Sequence, residues 1–300
     1  MRRDGGRRKS PVSSSDDDFY RRRIRAVLTH IGAHLDEDLS LERLAEVAGM
    51  SRFHFHRQFS AITGVPVARL IALLRLKQAS LELFLEDPRV IDVALRAGFQ
   101  SPEAFARAFR RAQGQSPSQF KRAPDWERWA QAFRHPFHLQ GAPMDVQIVE
   151  FPATPVAVLE HQGPPDTLMR SVASFIEWRK GSDVSPNGTS ATYGVPWSDP
   201  DQGDPAEWRF DICGSTEVEA VPSNPQGVIR KQLPGGRCAV ARHEGSTDRI
   251  GETVYALYRD WLPGSGERVR DFPCFFHYVQ RMPSVSELEQ ITDVYLPLEG

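Results

Sequence analysis

Arginine carries a planar fork of donors that matches the two acceptors on the major-groove edge of guanine. Two arginines of this chain, Arg57 and Arg107, stand in matched settings at an offset of 50. Phe55 and Phe59 correspond to Phe105 and Phe109, and Gly64 to Gly114, with Pro66 and Pro117 close behind. Phenylalanines four apart share one helix face, so each arginine falls on the face opposite them. Arg52, Phe53, His56, Arg57 and Ser60 make up the outer face of the first helix, and Glu103, Arg107, Arg110 and Arg111 belong to the second. The expected chemistry is the reading of duplex DNA. Arg57 and Arg107 are placed for guanine, Phe53 for a thymine methyl, and His56 or Glu103 for other base edges. Arg110, Arg111, Lys121 and Arg122 are placed for phosphate. The competing reading of each arginine is a solvated surface charge; the internal repeat favours the first for Arg57 and Arg107.

The elements that must position these side chains are legible nearby. Ser40 suits a helix N-cap, although Arg43 at the third position leaves a capping box incomplete. Leu41, Leu44, Ala45 and Ala48 share a face, Gly49 permits a turn, and Ser51 caps a helix over 52–63 with Phe55, Phe59 and Ile62 inward. Ala94, Ala97, Gly98, Ser101, Phe105 and Phe109 repeat the arrangement. The apolar stretch 67–85, carrying Arg75 and Lys77, reads as a long helix that holds the two units apart. Helices about 34 Å apart would meet successive major grooves.

The charge distribution agrees. Residues 1–142 hold 24 Lys and Arg against 16 Asp and Glu, and residues 143–300 hold 13 against 23. A balance of +8 joined to one of −10 suggests that the first half meets a polyanion; chance fluctuation of charge is the plainer alternative. Three hundred residues suit two domains. We expect a disordered tail at 1–18, a helical domain at 19–122, a linker with at most a short helix at 123–143, and an α+β domain at 144–300. No run of about 18 apolar residues suggests a membrane span, and the basic start lacks the apolar stretch of a secretion signal. A cytoplasmic protein with no membrane partner is expected. Cys213, Cys238 and Cys274 lie far apart, which argues against a metal site or a disulfide framework and for buried thiols. No cofactor is expected: a phosphate loop, GxSxG and HExxH are all missing from the sequence.

Residues 20–122 resemble the DNA-binding domain of the AraC/XylS family. The resemblance is carried by Leu44-Ala45, Gly49-Met50-Ser51 and Phe59, by Arg75-Leu76 and Ala79, and by Ala94 with Ala97-Gly98-Phe99. Ser101, Phe105, Phe109-Arg110, Gly114, Ser116-Pro117 and Phe120 complete it. It implies sequence-specific binding with the helices at 52–63 and 102–113 in the major groove.

The second half repeats at an offset of 82. Pro152 pairs with Pro234, Ala157-Val158 with Ala239-Val240, His161 with His243 and Gly163 with Gly245. Asp166 pairs with Asp248, Val172 with Val254 and Asp211 with Asp293. Two strand-strand-helix-strand-strand copies would build one sheet with both helices on a single face and a groove between copies. Val158, His161, Gly163-Pro164, Tyr193-Gly194-Val195-Pro196, His243, Gly245-Ser246, Pro273, Tyr278 and Thr292 to Leu298 resemble the GyrI-like effector-binding domain. The fold expected is therefore an all-α double helix-turn-helix domain followed by an α+β domain of two βαββ-like repeats.

That second resemblance implies a pocket between the copies for a lipophilic, often cationic compound, as in multidrug sensing. Many relatives carry a Glu shortly before the Tyr278 position, where this chain has Phe275-Phe276-His277. A more neutral aromatic effector, or a protein partner, becomes the expectation. Trp178, Tyr193, Trp197, Tyr255, Phe276 and Tyr278 are the candidate contacts, with membership of the core as the plainer alternative for each. His161 and His243, at equivalent strand ends before Gly, read as turn architecture. The whole reads as a regulator that binds double-stranded DNA and a small effector, with RNA polymerase as a further partner. The alternatives are a GyrI-like hydrolase and a drug-sequestering module without regulation.

Overall fold

The computed structural model describes residues 14–134, 144–200 and 204–300. Most of the expected tail and the 135–143 part of the expected linker lie outside the described residues. Packing divides the chain into two compact units within one long helix, the first running to Ile71 and the second from Ala72.

The first unit holds α1 (Ser14–Ala33), α2 (Leu41–Val47), α3 (Arg52–Thr63) and the start of α4 (Val67–Leu85). Helix α1 thus begins inside the stretch expected to be a tail. Ser40 and Ser51 cap α2 and α3, each accepting from the backbone N–H three residues on. Leu44, Ala45, Ala48, Phe55 and Phe59 are buried as expected. Ile62 is only half-buried, and Thr63 takes the inward position, donating to the Phe59 carbonyl at 2.7 Å. The turn between α2 and α3 uses Gly49 at φ +60. Arg23 secures that turn, donating to the carbonyls of Ala48 and Gly49 at 3.0 and 2.7 Å.

In the second unit, α5 (Val90–Arg96), α6 (Pro102–Gln113), α7 (Pro117–Arg122) and α8 (Trp126–Phe133) follow α4. Ser101 caps α6, and Gly98 at φ +77 makes the turn before it with the Arg75 guanidinium alongside. A complete capping box, Ser116 with Gln119, starts α7. Helix α8 falls in the stretch read as a linker, and its Trp126, Trp129 and Phe133 are buried. Phe99, Phe105, Phe109, Phe120, Trp126, Trp129 and Phe133 form an unbroken series of ring contacts with centroids 5.3–5.8 Å apart. Such edge contacts add directional attraction to the burial of apolar area. Met169, Ala173 and Met282, from beyond Met144, pack on this same core.

The remainder of the second unit is one antiparallel sheet with helices on one face. The strands are β1 (Val146–Phe151), β2 (Thr154–Gln162), β3 (Thr192–Pro196), β4 (Arg209–Ser215), β5 (Ile229–Leu233), β6 (Gly236–Glu244), β7 (Phe275–Gln280) and β8 (Ile291–Pro297). Helices α9 (Leu168–Lys180) and α10 (Ile250–Ala256) follow β2 and β6, and α10 continues into a π turn, Leu257–Trp261. β2 and β6, α9 and α10, and β4 and β8 begin 82 residues apart. The repeat read from eight scattered identities is thus a structural repeat. Each copy is a βαββ core plus a first strand, and the strand order β1-β6-β8-β7-β3-β4-β2-β5 shows that these first strands are exchanged. The order puts β1 and β2 far apart, yet only two residues join them, so the sheet must curl. Gly235 abuts Ala153 where the two hairpins meet; a Cβ there would lie 2.6 Å from the Ala153 nitrogen.

Alternation along the strands separates two faces. Ala157, Leu159, Ala239, Ala241, Phe276 and Val294 meet Phe175 and Trp178 of α9 and Leu257 beyond α10. Phe151, Val158, Tyr193, Cys213, Cys238 and Phe275 cluster on the other face. All three cysteines are free and buried, and burial pushes the thiols of Cys238 and Cys274 up to about 11 and about 12. His161 and His243 occupy equivalent places. Their Nδ1 atoms lie 2.8 Å from the hydroxyls of Ser171 and Thr253, again 82 residues apart. His243 Nε2 donates to the Ser246 carbonyl at 2.9 Å, so its Nδ1 accepts from Thr253 in the neutral ring.

Candidate nucleic-acid interface and effector groove

Helix α3 presents Arg52, Phe53, His56 and Arg57 to solvent. Phe53 is 72% exposed, a poor use of a large ring unless something covers it. Together with Leu41 these residues line a hollow of about 460 Å³. The Arg52 guanidinium donates to the Glu42 carboxylate at 3.3 Å and lies 5.1 Å from the centroid of Phe53. Among the described residues, no hydrogen bond or ion pair engages Arg57.

Helix α6 presents Glu103, Arg107, Arg110 and Arg111. Glu103 stands in the first turn, where its own backbone N–H and Ser101 hold its carboxyl below the usual range, with Arg107 one turn on adding to the effect. It therefore serves the helix start as well as facing outward. Arg110 and Arg111 end α6 without an ion pair among the described residues. Lys121 departs from its expected role. It donates to the carbonyls of Asp87 and Pro88 at 3.0 and 2.6 Å and meets the Asp87 carboxylate at 2.8 Å. Those three acceptors use all three ammonium donors, so Lys121 holds the loop after α4.

The six aromatic candidates do not converge on one cavity. Trp178 and Phe276 belong to the helix-side core, with Tyr278 packed against it. Tyr193 faces the other side, stacked on His277 at 4.9 Å. Trp197 is 41% exposed beside Phe272, with the cations of Lys231 and Arg209 at 5.8 and 5.9 Å from its ring. Tyr255 is exposed on α10 and donates to Asp199. Of the six, Tyr193, Phe276 and Tyr278 lie at the seam between the copies. There β3 and β7 share only two residue pairs, Tyr193 with His277 and Gly194 with Phe276. Gly194 is required at that seam: a Cβ would lie 2.5 Å from the Phe210 ring and 2.8 Å from the Tyr278 hydroxyl.

Sequence reasoning missed a buried carboxylate in this half. Glu287, 1% exposed, lies in the short turn before β8 and accepts from Ser246 and from Lys77 of α4. Lys77 also donates to Asp248 at 3.3 Å and to the Phe133 carbonyl at 3.5 Å. Burial opposes its charge, but Glu287 and Asp248 together outweigh that and raise its pKa. The only local signal was the capping box Ser286 with Glu289, which marks a turn but not a buried ion pair. Among the described residues, no group of side chains could hold a metal ion.

Comparison with known proteins places these two halves. Residues 144–299 match the model of the GyrI-like small molecule binding domain, and residues 44–123 match a helix-turn-helix domain. The chain is 49% identical over 155 residues to the probable transcriptional regulator YgiV of Escherichia coli K12, covering 52% of this chain and 96% of that protein. It is 25% identical over 250 residues to the transcriptional regulator Rob of Salmonella typhimurium, covering 80% and 84%. The C-terminal domain of EcmrR aligns at 13% identity over 53% of this chain and 99% of that one, with a TM-score of 0.43. The DNA-binding domain of AdpA, solved with a target DNA, aligns at 37% identity over 34% and 91%, with a TM-score of 0.33. The chain belongs to the GyrI-like family, with an AraC-type helix-turn-helix region ahead of that domain, and it is a DNA-binding transcription regulator rather than an enzyme.

Proposed function

We propose that this regulator reads its operator with α3 and α6, Arg57 and Arg107 each contacting a guanine, and that a small aromatic effector bound between the two sheet repeats tunes that binding. The observation that carries the reading is the repeated unit itself: two capped helices, each anchored by two buried phenylalanines, each offering an exposed arginine at the same position. Arg52, Phe53 and His56 complete the first face. Glu103, Arg110 and Arg111 complete the second, the last two toward phosphate.

For the effector, Trp197, Tyr255 and Tyr278 are the contacts still accessible or half-buried, whereas Trp178, Tyr193 and Phe276 support them from the core. Lys231 and Arg209 lie beside Trp197, but Glu160 and Asp211 pair with Lys231 at 2.6 and 2.7 Å, so the surroundings are close to neutral and favour a neutral aromatic. The effector acts only through its difference in affinity for two arrangements of the chain, and the output is altered DNA affinity or altered contact with RNA polymerase. The site of action is the cytoplasm, where the DNA is.

The test is selection of bound DNA from a random pool, followed by titration of the selected site with Arg57→Ala and Arg107→Ala. Each substitution is expected to weaken specific binding by roughly 1–3 kcal/mol and to relax preference at one position. Unchanged affinity in both variants removes the assignment of these two faces.

A further inference from the structure

Of the ties that join α4 and α8 to the sheet repeats, two sit at equivalent positions. Lys77 of α4 reaches Asp248 and Glu287 in the second repeat. Arg134, next after α8, reaches Asp166 in the first repeat at 2.5 Å. Asp166 and Asp248 are the same position of the 82-residue repeat, each in the turn that starts α9 or α10. The second repeat holds the middle of α4 through Lys77, while the first repeat holds the end of α4 through Lys180 and both ends of α8 through Arg170 and Asp166.

Between α4 and α8, Trp129 donates to Ser80 at 2.6 Å and lies 5.5 Å from the Lys77 ammonium. From Trp129 the ring contacts run through Trp126 and Phe120 to Phe109 and Phe105, the anchors of α6. The repeat cores meet through two residue pairs between β3 and β7, and the exchanged strands β1 and β5 bind each copy to the other through six and five more. A shift of one repeat core against the other would move Asp248 and Glu287 relative to Asp166, and with them the contacts that Lys77 makes from α4. Packed aromatic cores pass on such displacements because they do not deform continuously.

We propose that Lys77 is a positioning residue for DNA reading: by binding Glu287 and Asp248 it lets the effector-binding half set the placement of α6, the second reader. The proposal rests on the reading of Arg107 as a base contact. Loss of affinity on Arg107→Ala in the otherwise natural chain is the control for that reading.

The test uses the full chain carrying Lys77→Met with Glu287→Gln, which removes both charges and leaves no buried ion alone. On the DNA selected by the natural chain, affinity is expected to fall at least tenfold. Adding Arg107→Ala to this variant should then cost less than twofold, while adding Arg57→Ala still costs its full factor. A purely structural role would lower thermal stability and leave the Arg107 dependence intact. A folded variant with natural affinity and undiminished Arg107 dependence overturns the proposal. Should that variant fail to fold, the exposed tie decides the matter. Arg134→Asp and Asp166→Arg are each expected to reduce the Arg107 effect several-fold, and the two together to restore it. Failure of the reversed pair to restore it overturns the proposal equally.

Discussion

Replacing Lys77 by methionine keeps most of the volume of the side chain and deletes its charge. The carboxylate left behind, Glu287, is 1% exposed and keeps the Ser246 hydroxyl among its donors. Asp248, 38% exposed, returns to water at little cost. Breaking a buried pair by removing one partner costs about 3–5 kcal/mol, because the other charge is stranded. Both Lys77 and Glu287 lie out of solvent, so screening does not reduce that figure. In a unit of this size each kcal/mol moves the midpoint by about 2–4 °C, so Lys77→Met should lower the unfolding temperature of the second unit by roughly 6–20 °C. Adding Glu287→Gln removes the stranded charge, and the double variant should regain at least half of the loss. Differential scanning calorimetry of both variants reads this directly. A single variant within about 2 °C of the natural chain, or a double variant less stable than the single, would refute the claim that the pair is dry and strongly coupled.

Three further outcomes follow from particular residues. Burial lowers the pKa of both His161 and His243 from 6.5, so above that value both states are neutral. As pH falls below it, the unfolded chain takes up protons that the fold resists. Stability should thus decline from about pH 6.5 downward, and His161→Gln with His243→Gln should flatten that part of the profile in urea melts. Gly98→Ala should cost more than Gly227→Ala. Both have positive φ, worth about 1–2 kcal/mol for a side chain, but only at Gly98 does the Cβ meet a neighbour, Arg75 at 2.8 Å. Equal losses in thermal melts would mean that the Arg75 contact is dispensable. In a thermal-shift screen of the natural chain, neutral aromatics should raise the midpoint more than charged ones, and Trp197→Ala should abolish the shift. A preference for cations surviving Trp197→Ala would move the effector away from that ring.

The helical half was legible because its signals are local. Serine caps, glycine turns and phenylalanines four apart each depend on neighbours within one or two turns, and they located α2, α3, α4 and α6 closely. The sheet repeat was legible for a different reason. A duplicated unit keeps its phase, so a few identities such as His161 with His243 and Asp166 with Asp248 set β2, α9 and β4 against β6, α10 and β8. The exchange of β1 and β5 left no trace in that phase, since an exchanged strand has the same alternation as one that stays at home. Helix α8 was hidden by its setting. Pro124 and Pro136 flank it, and a Trp126, Trp129, Phe133 stripe is too short to tell a docked helix from an aromatic linker. The pairing of Lys77 with Glu287 spans 210 residues and follows no periodicity.

This last failure has a physical consequence for how the protein is divided. Texture and composition change near Met144, which is where the two matched domains also part. Packing changes elsewhere, between Ile71 and Ala72 inside α4. The difference arises because a domain boundary in sequence marks a change of repeat, whereas a mechanical boundary marks where apolar faces stop sharing a core. Trp126, Trp129 and Phe133 turn the second reader's core toward Met169 and Ala173, and Lys77 commits its only charge to the same side. If α6 reads DNA as proposed, it does so from a core that Met169, Ala173 and Met282 of the C-terminal half complete, so a rearrangement of that half would reach it through packing. On the proposed reading, an effector that favours one arrangement of the sheet repeats would also favour one placement of Arg107, through the core that the two share.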